Sequence, residues 1–352
     1  MRIAHMLLSR GFAGTERATA EMCNAHCHEH ALLLILRRDH RGAGGASIRE
    51  RLDPAVEVVE VSRWWPRAAV RAALMRFAPD VVHAHLRRST RLLARIRPDA
   101  ATIATLHLTV NGPHFAAMDG LICIAGWQQR DIPRDYRGEV FLINESLIPA
   151  RRLDSTEIAA RRAELGAATD DYLIGAVGRL AYSKGFDLLI EAFRRAALPA
   201  ARLIILGAGR ERRRLERQAR RAGARVSVVG FRHDVKDYYQ AFDLFVSPSR
   251  REPLGRVVLE ALDAGVPVLA TATEGPAELL GRYGGDLVPV GDIEALAARL
   301  RHHYDARTPH TSHDLSAYHI ETVARQTLQA YQSLISRRHG SQTRFQSVRP
   351  PG

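Results

Sequence analysis

FDLFVSPSRREPLGRVVLEALDAGVPVLAT, Phe242–Thr271, decides how the chain is read. The apolar run FDLFVS has the length and composition of a strand buried on both faces, and VPVLA after Gly265 has the same character. Between them lie a charged turn and, from Gly255, a helix with Val257, Val258 and Leu259 on its apolar side, stopped by Gly265. Strand, helix and strand in this order predict one βαβ unit of a parallel sheet. Two carboxylates stand eight residues apart in it, Glu252 in the turn and Glu260 in the helix. A loop carboxylate beside a helix N-terminus accepts sugar hydroxyls, while the free amides of Leu254 and Gly255 and the positive helix end favour an anion such as a diphosphate. Such carboxylates are also ordinary solvated surface charges in any doubly wound sheet, so the pair alone decides nothing.

The same alternation runs along the whole chain. RIAHMLL is followed by SRGFAGTER and a helix through about His28; ALLLIL, VEVVEV, DVVHAHL, TIATLH, DGLICIA and GEVFLINE read as further strands. ESLIPARRLDSTE, with Pro149 and a run of charge, reads as a linker, after which DDYLIGAVGRL opens a second alternating series. The expectation is therefore an α/β protein of two Rossmann-like doubly wound domains, 1–148 and 149–318. HIETVARQTLQAYQSLI supplies a helix over 319–338 that is apolar at Val323, Leu328, Tyr331 and Leu334, and 339–352 is a basic tail expected to be disordered. A chain of 352 residues is long enough for each domain to bury its own core.

Composition narrows the class. The chain is 46% hydrophobic and 6% aromatic, as in soluble globular proteins, and it has no apolar run of membrane-spanning length. Its start, MRIAHMLLSRG, is too short and wrongly ordered for a signal peptide, and three cysteines suit free thiols in a reducing compartment, so a cytoplasmic location is expected. The formal charge of +13 is carried almost wholly by arginine, with Lys184 and Lys236 as the only lysines. That surface favours polyanions: phosphorylated glycolipid, anionic lipid headgroups or nucleic acid.

Several clusters invite chemistry. Gly11 and Gly14 relax the turn before the first helix, so that backbone amides can approach a ligand. Arg179 offers a planar multi-donor fork and Lys184 a point charge near a helix start, a combination suited to a diphosphate; a surface ion-pair cluster is the alternative. Cys23, His26, Cys27 and His30 have helical spacing but no strong zinc pattern, so an ordinary helix end is preferred. RWWPRAAVRAALMRF predicts a helix from Pro66 with Ala69, Ala72, Ala73, Met75 and Phe77 as its apolar set. Arg67, Arg71 and the paired tryptophans beside it also suit an interfacial membrane contact. Asp170 and Asp171 are read as surface charges, and HHYDARTPHTSHDLSAYH as a loop without an ordered ligand set. Arg210–Arg214 reads as a solvated helix face, and the Gly-x-Gly before it lacks the full dinucleotide fingerprint. Aromatic residues are not interleaved with the basic ones, which argues against a nucleic-acid partner.

E-P-L-G-x-V-V-L-E-A, with G-T-E-R at Gly14–Arg17, T-x-H ending at His107 and G-R-L-x4-K-G from Gly178, closely resembles glycosyltransferase family 4 (glycosyl transferases group 1). That family is retaining and has the GT-B fold, two Rossmann-like domains facing across a cleft. The resemblance covers nearly the whole chain. It implies transfer of a sugar from a nucleotide-diphosphate donor, a UDP-sugar first among them, to a hydroxyl of a glycan or lipid-linked acceptor, in bacterial cell-surface polysaccharide or lipopolysaccharide assembly. By the same resemblance His107, Glu252, Arg179 and Lys184 are catalytic. Gly14, Thr15, Gly230, Phe231, Arg232, Leu254, Gly255 and Glu260 bind the donor, with Glu252 on sugar hydroxyls and Glu260 on the ribose. Gly275 and Glu278 fall near the cleft rim, and the helix after 318 crosses back to the first domain. No D-x-D metal motif is present, so the reaction is expected to need no metal or other cofactor, and an anionic membrane surface is a further expected partner. The chain departs from the family at Ala13, Ala125, Glu145 and Leu254, where Gly, Ser, Gly and Phe are usual.

Overall fold

A computed structural model describes residues 1–11, 14–40, 47–64, 66–110 and 112–346, with side chains as far as 339. Ala13, Trp65 and the tail from 347 lie outside the described residues. Two compact units emerge, one of residues 1–146 and 316–352, the other of 147–315.

In the first unit the chain runs β1 (Arg2–Leu7), α1 (Gly14–His26), β2 (Ala31–Arg37), β3 (Glu57–Val61), α2 (Pro66–Phe77), β4 (Val81–His85), α3 (Leu86–Ile96), β5 (Ala101–Leu106), β6 (Gly120–Cys123) and β7 (Glu139–Leu142). The strands form one parallel sheet in the order β3-β2-β1-β4-β5-β6-β7, so the winding reverses between β1 and β4. β1, β2, β4 and β5 are almost wholly buried, which is why they read as unbroken apolar runs without alternation. On α2 the buried stripe is Val70, Ala73, Leu74 and Phe77, the 3–4 spacing of a helix face. Met75, expected in the apolar set, points to solvent, because it lies off that stripe.

The second unit holds α4 (Ser155–Glu164), β8 (Tyr172–Val177), α5 (Phe186–Ala196), β9 (Ala201–Leu206), α6 (Arg212–Ala222), β10 (Val226–Gly230), α7 (Val235–Tyr239), β11 (Leu244–Ser247), α8 (Arg256–Ala264), β12 (Val268–Thr271), α9 (Glu274–Tyr283), β13 (Asp286–Val288) and α10 (Ile293–Ala306). Its sheet order is β10-β9-β8-β11-β12-β13, again parallel, with the reversal between β8 and β11. Asp154 starts α4 through a capping box: its side chain accepts from the Glu157 amide at 2.8 Å, and the Glu157 side chain accepts from the Asp154 amide at 3.0 Å. The final helix, α11 (Ile320–Gln346), returns to the first unit, where His26 bonds the Ala324 carbonyl at 3.1 Å and Tyr331 is fully buried. It runs past the 338 at which the sequence pattern ends.

Two readings of polar segments are corrected. Asp171 is buried, because it accepts from Arg202 at 2.6 Å, Arg225 at 3.2 Å and the Ala168 amide at 2.8 Å: the carboxylate ties three segments together and is no surface charge. The histidine-rich stretch is helical at its start, since α10 continues to Ala306, and His303 is buried 2.8 Å from Asp286. A pattern search that looks for ligand order misses a histidine used as a helix-to-strand tether.

Candidate active site

Ligands of doubly wound sheets bind beyond the carboxyl ends of the strands, at the point where strand order reverses. In the second unit that point lies between β8 and β11, and the chain leaving each strand carries the predicted catalytic groups. Beyond β8 come Arg179, exposed, and a 3-10 turn at Tyr182–Lys184; beyond β11 comes the turn that holds Glu252. The Lys184 ammonium donates to Glu252 Oε2, and both side chains are at least four-fifths buried. Two residues 68 apart in sequence thus form one ion pair, which desolvation makes far more demanding than a surface bridge.

The two turns are fastened by a residue the sequence reading passed over. Arg250 grips Asp187 with a bidentate fork at 2.7 and 2.9 Å, donates to the Tyr182 carbonyl at 2.8 Å and lies 4.0 Å over the Tyr182 ring. Its backbone amide adds a bond to the Ser183 carbonyl at 2.8 Å. Burial alone raises the Asp187 carboxyl, and the Arg250 fork overrides it, leaving the pKa below the usual carboxylate range. The signal was present, since Asp187 closes the K-G-x-D motif, but nothing local showed that its partner was 63 residues away. Gly185, in left-handed conformation at φ 67°, lets the backbone pass against the Pro248 carbonyl, where a β-carbon would collide.

Beyond Glu252 the turn folds onto α9: the Gly275 amide donates to the Glu252 carbonyl at 3.1 Å, and Gly275 packs on the Leu254 backbone. Leu254 is buried. Gly255 at φ 87° turns the chain into α8, so the amides that open that helix face the same edge as Glu252. Glu260, one turn further along, is 3% exposed; Tyr239 donates to its Oε2 at 3.0 Å, and Arg256 Nε stands 3.5 Å from Oε1. Gly230 ends β10, and Phe231 and Arg232 follow it on the same edge of the sheet; Phe231 is exposed, and Gly230 lies buried at φ 104°. Gly275 therefore lies with Glu252, Leu254 and Gly255 on one wall, and Arg179, Lys184 and Glu260 belong to the same edge.

The first unit gathers its own set at the reversal between β1 and β4. Gly14 and Thr15 open α1 after β1, with Gly14 exposed. His85 ends β4 and His107 follows β5, and their rings approach with His107 Nε2 at 3.5 Å from His85 Nδ1. His85 Nε2 in turn meets His5 Nδ1 at 3.0 Å, while His83 is held by Tyr331 and Thr105, each at 2.7 Å. Burial pushes the His107 imidazole down to about 4 and His5 to about 3, so these rings stay neutral near pH 7. His107 borders a cavity of about 50 Å³ together with Thr19, Met22, Asn144, Glu145 and Ser146. Glu145, a departure from the resembled family, thus reaches the predicted catalytic histidine. Cys23 and Cys27 are both free and buried. Cys27 lies near His28 and Asp53, not in a common ligand set with His26 and His30. Among the described residues no helix is long and apolar enough to cross a membrane.

Residues 157–321 match the family described as "Glycosyl transferases group 1". Over 308 residues the chain is 30% identical to "Lipopolysaccharide core biosynthesis glycosyltransferase LpsE" of Rhizobium meliloti (strain 1021), covering 84% of this chain and 87% of that protein. LpsD of the same organism, with the same description, is 29% identical over 75% of this chain and 76% of its own length. Among solved structures, Anabaena Alr3699/HepE in complex with UDP-glucose superposes with a TM-score of 0.75 at 22% identity, covering 97% of this chain and all of that one. WaaG, a glycosyltransferase involved in lipopolysaccharide biosynthesis, superposes with a TM-score of 0.69 at 19% identity over 96% and 98% of the two chains. The fold is therefore GT-B.

Proposed function

Because the chain belongs to the glycosyl transferases group 1, we propose that this glycosyltransferase moves a sugar from a nucleoside-diphosphate donor, a UDP-sugar, to a hydroxyl of a glycan or lipid-linked acceptor in lipopolysaccharide or related cell-surface polysaccharide assembly. The Lys184–Glu252 pair at the β8/β11 reversal carries the reading. HepE was solved with UDP-glucose, and LpsE and WaaG are named for lipopolysaccharide synthesis, which supports the donor and the acceptor class.

Departure of a nucleoside diphosphate builds negative charge on its phosphates. Arg179, Lys184 and the amides that open α8 supply positive charge and donors to that leaving group without a metal ion. Glu252, held in place by Lys184, accepts hydroxyls of the donor sugar, and Glu260, already oriented by Tyr239, accepts the ribose hydroxyls. Gly230–Arg232 offer backbone to the base. In the first unit, Gly14 and Thr15 present the α1 amides to the donor, and neutral His107 meets the acceptor end. No covalent nucleophile is assigned: the leaving phosphate takes the acceptor proton, and the sugar keeps its anomeric configuration, as in family 4. The transferase works on the cytoplasmic side, where α2, with exposed Met75 beside Arg67 and Arg71 and with exposed Trp64 just ahead of it, rests on an anionic membrane.

Thermal unfolding against UDP, GDP, ADP and CDP tests this reading, since a ligand at about 100 times its dissociation constant stabilises the native state by roughly 2.7 kcal/mol. A shift with UDP that disappears in Lys184→Ala and Glu260→Ala is expected. No shift with any nucleotide sinks the proposal.

A further inference from the structure

Three arginines from separate segments gather at the carboxyl edge of the first sheet. Arg37 is the last residue of β2, Arg10 follows β1, and Arg88 lies in the first turn of α3 after β4. Arg10 Nε and Arg37 Nη2 both donate to the same oxygen of Asp39, Oδ2, at 3.0 and 2.6 Å. Arg88 follows β4, which pairs with β1 so that His85 stands beside Leu7; burial first and then the charge of Arg37 lower its pKa, against the pull of Asp39. One carboxylate thus holds two guanidinium groups, with the third arginine on the segment after the adjoining strand β4, and the cluster keeps an excess of positive charge.

Two further facts point to an anion-binding site. Arg37 is 4% exposed, yet among the described residues its Nε has no hydrogen-bond partner, a donor whose burial costs free energy until something accepts from it. Arg10 and Arg88 also flank the β1/β4 reversal, where doubly wound sheets take their ligands. A planar guanidinium suits the oxygens of a phosphate better than a lone ammonium does, and several forks at one place favour a dianion over a carboxylate.

We infer that Arg10, Arg37 and Arg88 form a phosphomonoester-binding site of the first unit, through which the protein selects a phosphorylated acceptor. The inference rests on the transferase reading for the word acceptor, but the site itself does not. Asp39 is the counter-charge that keeps Arg10 and Arg37 oriented, and an arriving phosphate completes the donors of Arg37 and Arg88. The phosphate can sit on a sugar or on a lipid headgroup, since both present the same three oxygens.

Glucose 6-phosphate, glucose, UDP and vesicles containing phosphatidic acid are to be titrated into the wild-type protein and into Arg10→Gln and Arg88→Gln, whose side chains are exposed and whose loss leaves the core intact. Glucose 6-phosphate is expected to bind where glucose does not, with roughly a tenfold loss in each variant, the effect of one charge-assisted hydrogen bond. Vesicle binding that falls in the same variants while the sugar phosphate fails to bind assigns the phosphate to a lipid and upholds the site. UDP affinity should stay within about twofold in both variants. Equal glucose 6-phosphate and vesicle binding by all three proteins overturns the inference, as does a tenfold loss of UDP affinity, which would give these arginines to the donor. Failure of UDP to bind the wild-type protein strikes the transferase reading and leaves this one standing.

Discussion

Glu145 Oε2 lies 4.0 Å from His107 Nδ1, and both side chains are nine-tenths buried. That separation is beyond a hydrogen bond, but a full charge acts strongly across it where water is excluded. His107 already has its pKa pushed down to about 4 by burial. Glu145→Gln keeps the volume and removes the negative charge that favours imidazolium, so the His107 pKa is expected to fall further. Following the His107 ring protons by NMR through an acid titration decides the matter. A midpoint that stays or rises shows that the carboxylate does not act on the ring.

The Lys184–Glu252 pair sets a second expectation. Removing one member of a desolvated pair leaves the other charge uncompensated, at a cost of about 3 kcal/mol. Lys184→Met is expected to lower turnover by 10²-fold or more, the scale of losing one preorganised donor to developing charge. Glu252→Gln, which keeps the shape and a hydrogen-bonding oxygen, should retain nucleotide binding and lose sugar transfer. A Glu252→Gln enzyme with wild-type kcat/KM for transfer would remove Glu252 from the chemistry.

Gly185 links the two halves of the site through the backbone. Its positive φ and the Pro248 carbonyl against its α-carbon leave no room for a side chain. Gly185→Ala therefore strains the conformation and forces the Lys184 and Glu252 turns apart, a destabilisation of at least 2 kcal/mol. Urea unfolding of the variant, with nucleotide affinity alongside, is the check; wild-type values for both contradict this account of why glycine follows the lysine.

Much of this was legible in the chain because parallel strands buried on both faces read as apolar runs, and because the turns after β8 and β11 carry short, dense motifs. What stayed hidden was pairing at long range. Arg250 drew no reading in the sequence until its fork on Asp187 appeared, and Asp171 was read as a surface charge until Arg202 and Arg225 closed on it. The stack of His5, His83, His85 and His107 comes from three adjacent strands in the order β1-β4-β5, a juxtaposition that only the sheet order creates. Met75 was misplaced for a simpler reason: composition marks a helix as apolar, and only the register to the sheet selects the buried stripe.

Charge on the departing diphosphate is met by Arg179, Lys184 and helix amides in the proposed reaction, so chelation should not stop it. Transfer measured in excess EDTA, after exhaustive dialysis, is expected to keep at least half of the untreated rate. A rate that collapses and returns on adding Mg²⁺ or Mn²⁺ would place a metal in the step and displace the arginine-based account.

Acid should unfold the protein early, and the sign follows from the histidine stack. His107 drops from an ordinary 6.5 to about 4, and His5 from 6.5 to about 3, through burial first and, for His5, the charge of His26 second. Depressed folded-state values mean that the unfolded chain takes up protons first as pH falls. Stability is therefore whole above about 6.5 and is lost progressively down to about 4 and below, by up to about 1.4 kcal/mol per pH unit for each histidine. His83 and His85, lowered in the same way by burial, steepen the loss. Urea midpoints at about pH 7, 6 and 5 should fall steadily in the wild-type protein. His5→Gln should fall less steeply, by close to one proton's worth of slope, because a group that cannot titrate takes up nothing in either state. Midpoints that hold level from about pH 7 to 5 would mean that the buried rings carry charge in the folded protein, with the Glu145 carboxylate 4.0 Å from His107 the nearest counter-charge to that ring.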